Sequence, residues 1–155
     1  MYIANGTIKD VVIIQLQKDE DVMSSIKRVC EEKGIKNGVI LSVAGSVNGA
    51  YYSNPIPDPT SLSEEHGSYI ATYGPLEVLG ACGEICHLDD GEVVVHMHMT
   101  LSDKDGHAFG GHVEKVGMRV LCTLNVVIGV LEGVDMGFIH DARIEKNILC
   151  PKNII

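Results

Sequence analysis

The sequence predicts an α+β fold, a mainly antiparallel β-sheet flanked by one long α-helix. Three observations predict it. Runs rich in β-branched residues with period-two alternation recur through most of the chain. Asp/Gly turns at Leu88–Gly91 and Ser102–Gly106 separate successive runs, as in sequential hairpins. Only the stretch before Gly34 places apolar residues at helical spacing.

In chain order, residues 2–8 show no clear period, and Val11–Gln17 reads as a strand ending in the polar group Lys18-Asp-Glu-Asp21. The helix follows. Asp19 is the expected N-cap, Val22, Met23, Ile26, Val29 and Cys30 form the apolar stripe, and Gly34 suits a left-handed stop. Gly38–Ser46 resumes strand character, and Val47–Tyr52 either continues it or folds back as a second strand. Asn54–Gly67 holds three of the five prolines and reads as a surface loop. Ser68–Tyr73 and Leu76–His87 read as two strands joined at Gly74-Pro75. Then comes Glu92–Leu101, and after the second Asp/Gly turn His107–Val113 is expected to return beside it. Met118–Leu131 is the longest strand candidate, with Met118, Val120, Cys122, Leu124, Val126, Ile128 and Val130 as a core face and the opposite face as a candidate interface. Ile139–Ile144 is a last short strand, and Pro151–Ile155 a tail.

Residues 1–155 are expected to form a single domain, long enough to bury one core. Five cysteines without CxxC spacing, and an opening segment with neither a basic nor an apolar leader region, predict a reduced, cytoplasmic, soluble protein. No apolar run approaches the roughly 18 residues of a membrane span. Twelve Lys and Arg stand against 21 Asp and Glu, a formal charge of −9, which argues against strong nucleic-acid binding by the bare chain.

The chemistry concentrates at His96-Met97-His98. Read as a strand, Val93, Val95, Met97, Met99 and Leu101 form one apolar face, and Val94, His96, His98 and Thr100 the other, so both imidazoles point the same way. Gly110-Gly111-His112 then offers two residues without a β-carbon, whose backbone can approach a neighbouring strand closely and deliver a third imidazole. Three neutral imidazoles suit zinc or another divalent transition metal, and three protein ligands leave a fourth position for water or a small anionic ligand. An open zinc supports hydrolysis or hydration. The alternative is a solvated pair of histidines and a plain Gly-Gly-His turn.

Glu84 and Glu114 are the candidate carboxylates beside such a site, Asn125 or Arg119 could orient an anion, and His107 is either a fourth ligand or a turn residue. His66, His87 and His140 carry no assigned role. Cys82 and Cys86, about 13 Å apart on one strand face, are too far apart for one tetrahedral site and are taken as buried small hydrophobes. Asp103-Lys-Asp-Gly106 lacks the closing acid of a calcium loop and reads as a β-turn. No phosphate-binding loop is present.

The stretch Val95–Glu132 resembles the plants-and-prokaryotes conserved (PPC) domain, found also in plant AT-hook nuclear proteins. The matching segments are Leu41-Ser-Val-Ala-Gly-Ser46, Gly74-Pro-Leu-Glu-Val-Leu79, His96-Met-His98, Gly110-Gly-His112 and Asn125-Val-Val-Ile-Gly-Val-Leu-Glu132, in family order. The resemblance implies a stand-alone prokaryotic PPC-like fold and a homotrimer in which strands of neighbouring subunits pack together. It also implies a metal at His96, His98 and His112, as in metal-containing prokaryotic relatives. In plant relatives an Arg-Gly-Arg AT-hook binds DNA, and this sequence has none.

The functional expectation is a homotrimeric PPC-domain protein that binds a metal ion, zinc by its donor set, through His96, His98 and His112 and serves as a ligand- or partner-binding module, with no membrane association. A zinc-dependent hydrolase or lyase acting on a small substrate is the enzyme alternative. A DNA-associated regulator is the third.

Overall fold

The computed structural model of the chain describes residues 1–56, 66–143 and 145–154. Its elements are β1 (Thr7–Gln17), α1 (Val22–Lys33), β2 (Gly38–Pro55), β3 (His66–His87), β4 (Val93–Ser102), β5 (Ala108–Val113), β6 (Val120–Glu132), β7 (Val134–Asp141) and β8 (Lys146–Asn153). Most of the proline-rich loop expected at Asn54–Gly67 lies outside the described residues. The strands form one sheet in the order β1-β6-β2-β5-β4-β3-β7-β8, and β2 also pairs with β3. The β2–β3, β3–β4, β4–β5 and β5–β2 ladders, all antiparallel, therefore close on themselves.

The helix is not long. It has 12 residues, an ordinary three-turn length, because the chain supplies a stop at each end. Its N-cap is Asp21 rather than Asp19: the Asp21 carboxylate accepts from the Ser24 amide at 3.1 Å and the Ser24 hydroxyl at 2.9 Å. Asp19 instead sits at φ +68° in the preceding turn, its amide donating to the Val120 carbonyl, so those residues are tied to β6 and unavailable to the helix. At the other end Gly34 takes φ +66°, as expected of a left-handed stop, and the Ile35 amide donates to the Cys30 carbonyl. Val22, Met23, Ile26 and Cys30 bury the helical stripe against the sheet.

The odd face of β4 is core, as its alternation predicts: Met97, Met99 and Leu101 are buried. They meet Ile26, Ile85, Val120, Leu124, Val126 and Ile128 in a common cluster. Cys122 departs from the expected core face of β6 and is exposed. The reason is a register shift against β2. Gly45 faces Leu124 while Val47 faces Val120, so β6 carries extra residues there and the bulge turns Cys122 outward.

Of the two readings open for Val47–Tyr52, the structure has the continuous one: β2 runs through Gly45-Ser46 to Pro55. Ser68–Tyr73 and Leu76–His87, expected as two strands, are one, since β3 runs through Gly74-Pro75, held by pairing with β2. The C-terminal expectation is corrected more strongly. The structure has a hairpin of β7 and β8, and Pro151 lies inside β8 opposite Met136 rather than in a tail. β8 is the outermost strand of the sheet, where a residue without an amide hydrogen costs no ladder bond. This hairpin packs Val134 and Met136 on Cys86. Cys82 lies beyond its cover and is exposed, so only Cys86 of that pair is a buried small hydrophobe. Burial pushes the Cys86 thiol up to about 12.

Candidate metal centre

Strand β4 carries His96 and His98 on the face opposite the Met97/Met99 core, and β5 brings His112 directly across from His98. The two glycines before His112 make this approach sterically feasible. A β-carbon on Gly110 would stand 2.0 Å from the Met99 carbonyl oxygen, and one on Gly111 would stand 2.6 Å from that of Ser53. β5 thus fits between β4 and β2 only where both residues lack side chains.

The three rings converge. Their centroids are 5.0 Å apart for His96–His98, 5.0 Å for His96–His112 and 5.3 Å for His98–His112. Each offers one ring nitrogen within 4.8 Å of the others. The Nε2 atoms of His96 and His98 are 3.2 Å apart. Two nitrogens bound tetrahedrally to zinc at 2.0–2.1 Å lie about 3.3 Å apart, so this pair already has the spacing of a shared ion. An all-imidazole donor set favours zinc and its transition-metal neighbours over calcium or magnesium, which take oxygen ligands.

Glu84 supports the arrangement from β3. It is in register with His96, and the two side chains meet at 2.9 Å, His96 Nδ1 to Glu84 Oε2. With Nδ1–H donating to the carboxylate, the Nε2 lone pair of His96 faces the other two rings, the pattern in which a carboxylate fixes the tautomer of a metal-binding histidine. The hydrogen bond from His96 holds the Glu84 carboxyl below the ordinary carboxylate range, against the opposing effect of burial.

Other candidates are placed elsewhere. His107 does not join the three histidines: its Nδ1 lies 3.0 Å from Asp103 Oδ2 in the β4–β5 turn, with Asp105 nearby. The Asp103 carboxylate accepts the His107 and Asp105 amides, which makes this a self-bonded turn as expected. Arg119 donates to the Asp19 carbonyl, and Asn125 is in register with Gln15 and Ala44, away from β4. Glu114 follows β5, where its amide donates to the Tyr51 carbonyl. His87, the last residue of β3, reaches β7, its Nε2 2.8 Å from Asp135 and its Nδ1 3.0 Å from the Leu88 carbonyl.

Sequence reasoning missed the surroundings of the site. A cavity of about 380 Å³ lies between the His96/His112 side and the β7–β8 hairpin, walled by Val94, Phe138 and Leu149 and reached by Lys115. On the His98 side, Cys82, Gly80 and Gly111 border a second, shallower depression. Cys82 is in register with His98 and so shares its face. The available signal was Phe138, Ile148 and Leu149 in the C-terminal segment, whose partners only the hairpin reveals.

With this geometry established, residues 3–132 match the family model of the Plants and Prokaryotes Conserved (PCC) domain. The chain belongs to that family. Solved structures share the PPC fold. A metal-containing protein from Archaeoglobus fulgidus is 24% identical with a TM-score of 0.74, over 96% of this chain and 99% of that one. A plant- and prokaryote-conserved protein from Pyrococcus horikoshii is 19% identical, TM-score 0.77, over 95% and 96%. A protein from Ralstonia eutropha JMP134 with a provisional DNA-binding assignment is 18% identical, TM-score 0.70, over 88% of each. Among curated proteins, the bifunctional protein GlmU of Synechococcus sp. strain JA-2-3B'a(2-13) is 26% identical over 123 residues, which is 79% of this chain and 17% of that protein. The chain thus spans about a sixth of the length of the curated relatives it matches. Among the described residues, no helix is long and apolar enough to cross a membrane.

Proposed function

We propose that this PPC-domain chain is a homotrimeric binding module that holds one divalent transition metal, zinc by its donor set, through His96, His98 and His112. The observation that carries this reading is the convergence of three imidazole nitrogens within 4.8 Å, with His96 backed by Glu84. The metal-containing Archaeoglobus relative supports it. A metal supplies positive charge and an open position; the chain contributes three neutral ligands and a carboxylate that orients one of them. Metal analysis of untagged protein tests the site. One equivalent per chain is expected, lost in His98→Ala; no stoichiometric metal, or metal unaffected by that substitution, refutes it.

Self-association draws support from an uncovered apolar face. Ile13 is 72% exposed, and Ile8, Val11 and Leu41 are about half exposed. Ile8, Leu41 and Val39 crowd around Gly129, opposite Val11, forming a continuous patch on the outer side of β1-β6-β2. Light scattering on sized protein should give three times the chain mass, and Ile13→Lys should lower it.

A zinc-dependent hydrolase or lyase would use the same open position. Turnover in a panel of esters, amides and phosphoesters, abolished by His96→Ala, is its signature. The Ralstonia protein favours a third reading, association with DNA. The formal charge of −9 opposes it, and duplex binding that weakens steeply with salt is the measurement that would sustain it.

A further inference from the structure

We infer that the cavity beside the three histidines binds a monocarboxylate with a compact apolar body. Its carboxylate would lie at the metal and Lys115, and its body against Val94, Phe138 and Leu149. The inference rests on the metal reading above and goes beyond it by naming the ligand class.

The cavity lining is mixed. Its polar part includes His96 and His112, whose ring nitrogens converge on the proposed ion, and the exposed Lys115. Most of the rest is hydrocarbon. Phe138 and Leu149 stand directly opposite one another on β7 and β8. Both are only partly buried: they pack on the Cys86, Val134 and Met136 cluster and leave the rest of their surface to the cavity. A volume of about 380 Å³ is at the lower end of the 300–1,000 Å³ of small-molecule sites. A few apolar groups convergent with one charged end is the usual construction of such a site.

The charged part selects among anions. Three neutral imidazoles leave the metal its full charge, and the ammonium of Lys115 adds one more. Glu84 lines the cavity too, engaged with His96, and opposes a second negative charge on a ligand. Phosphate sites offer several convergent donors, such as an arginine fork or the free amides of a helix start, and among the described residues neither lines this cavity. A singly charged carboxylate matches the charge available, and the hydrocarbon wall gives it an affinity that acetate lacks. Asn147 also borders the cavity and offers a neutral polar contact beside the wall.

Cobalt(II)-loaded protein tests this directly. Cobalt uptake is measured first, then acetate, butanoate, hexanoate and benzoate are titrated while the visible spectrum of the metal is followed. Burial of each methylene is worth about fourfold in affinity, so hexanoate should bind at least about tenfold tighter than acetate. Lys115→Gln, at an exposed position, should weaken every carboxylate by about tenfold. Phe138→Ala should flatten the dependence on chain length and leave acetate unchanged. If cobalt is bound one per chain but affinity does not depend on chain length, the wall faces something other than a ligand and the inference is overturned while the metal site stands. If no cobalt binds, or His98→Ala binds it equally, the metal reading fails and the inference falls with it.

Discussion

Gly110→Ala probes how the third histidine is delivered. An added β-carbon would lie 2.0 Å from the Met99 carbonyl oxygen and 3.1 Å from the Thr100 α-carbon. An unstrained carbon–oxygen contact is about 3.3 Å, so β5 must retreat from β4 by about 1.3 Å. That is enough to break ladder hydrogen bonds near 2.9 Å, and it exceeds the roughly 0.5 Å within which a ligand constellation must be held. Overpacking of this kind costs about 1–3 kcal/mol, which for a chain of this size lowers Tm by about 2–12 °C. His112 sits two residues along the same short strand and is carried away with it. The expected result is therefore a moderate loss of stability with at least a tenfold loss of metal affinity, read by thermal melting of chelator-treated protein and by competitive metal titration. A variant that melts lower yet binds metal with unchanged affinity would refute the argument that close β4–β5 approach positions His112.

Three other substitutions separate the parts. Glu84→Gln keeps the shape beside His96 but loses the carboxylate, and should weaken metal binding about 10–100-fold in the same titration with little change in the apo melting curve. Asp21→Ala removes the helix cap, and also an acceptor for the Gly117 amide at 2.9 Å; urea unfolding should show a loss of about 0.5–2 kcal/mol with metal stoichiometry intact. Met97→Ala empties a fully buried position directly between the two β4 histidines, and denaturant midpoints should fall by an amount equivalent to about 2–5 kcal/mol.

Much of the site was legible because it follows from one local rule. Side chains alternate across a strand, so His96 and His98 share a face wherever the strand lies, and Met97 and Met99 must turn into the core. Two glycines before His112 announced a close approach that Gly110 and Gly111 do make. Glycine is likewise a local stop signal, and Gly34 ends the helix where expected. The errors fell where a distant partner overrides local pattern. Asp19 has the composition of a cap but is held by β6, so Asp21 caps instead. Cys122 lies on the apolar period of β6 until a bulge against β2 turns it outward. Cys82 and Cys86 share a period, and only the hairpin from the far end of the chain distinguishes them.

The sequence by itself therefore determined the strand, the direction of its two imidazoles and the presence of a third that could approach. Tertiary structure alone decided that His112 faces His98 while Glu84 faces His96, and that Phe138 and Leu149 wall the neighbouring cavity. Alternation is a property of consecutive residues and can be read from them. Register between strands depends on turns, bulges and pairing partners many residues apart, and a change of one position would exchange every one of these neighbours.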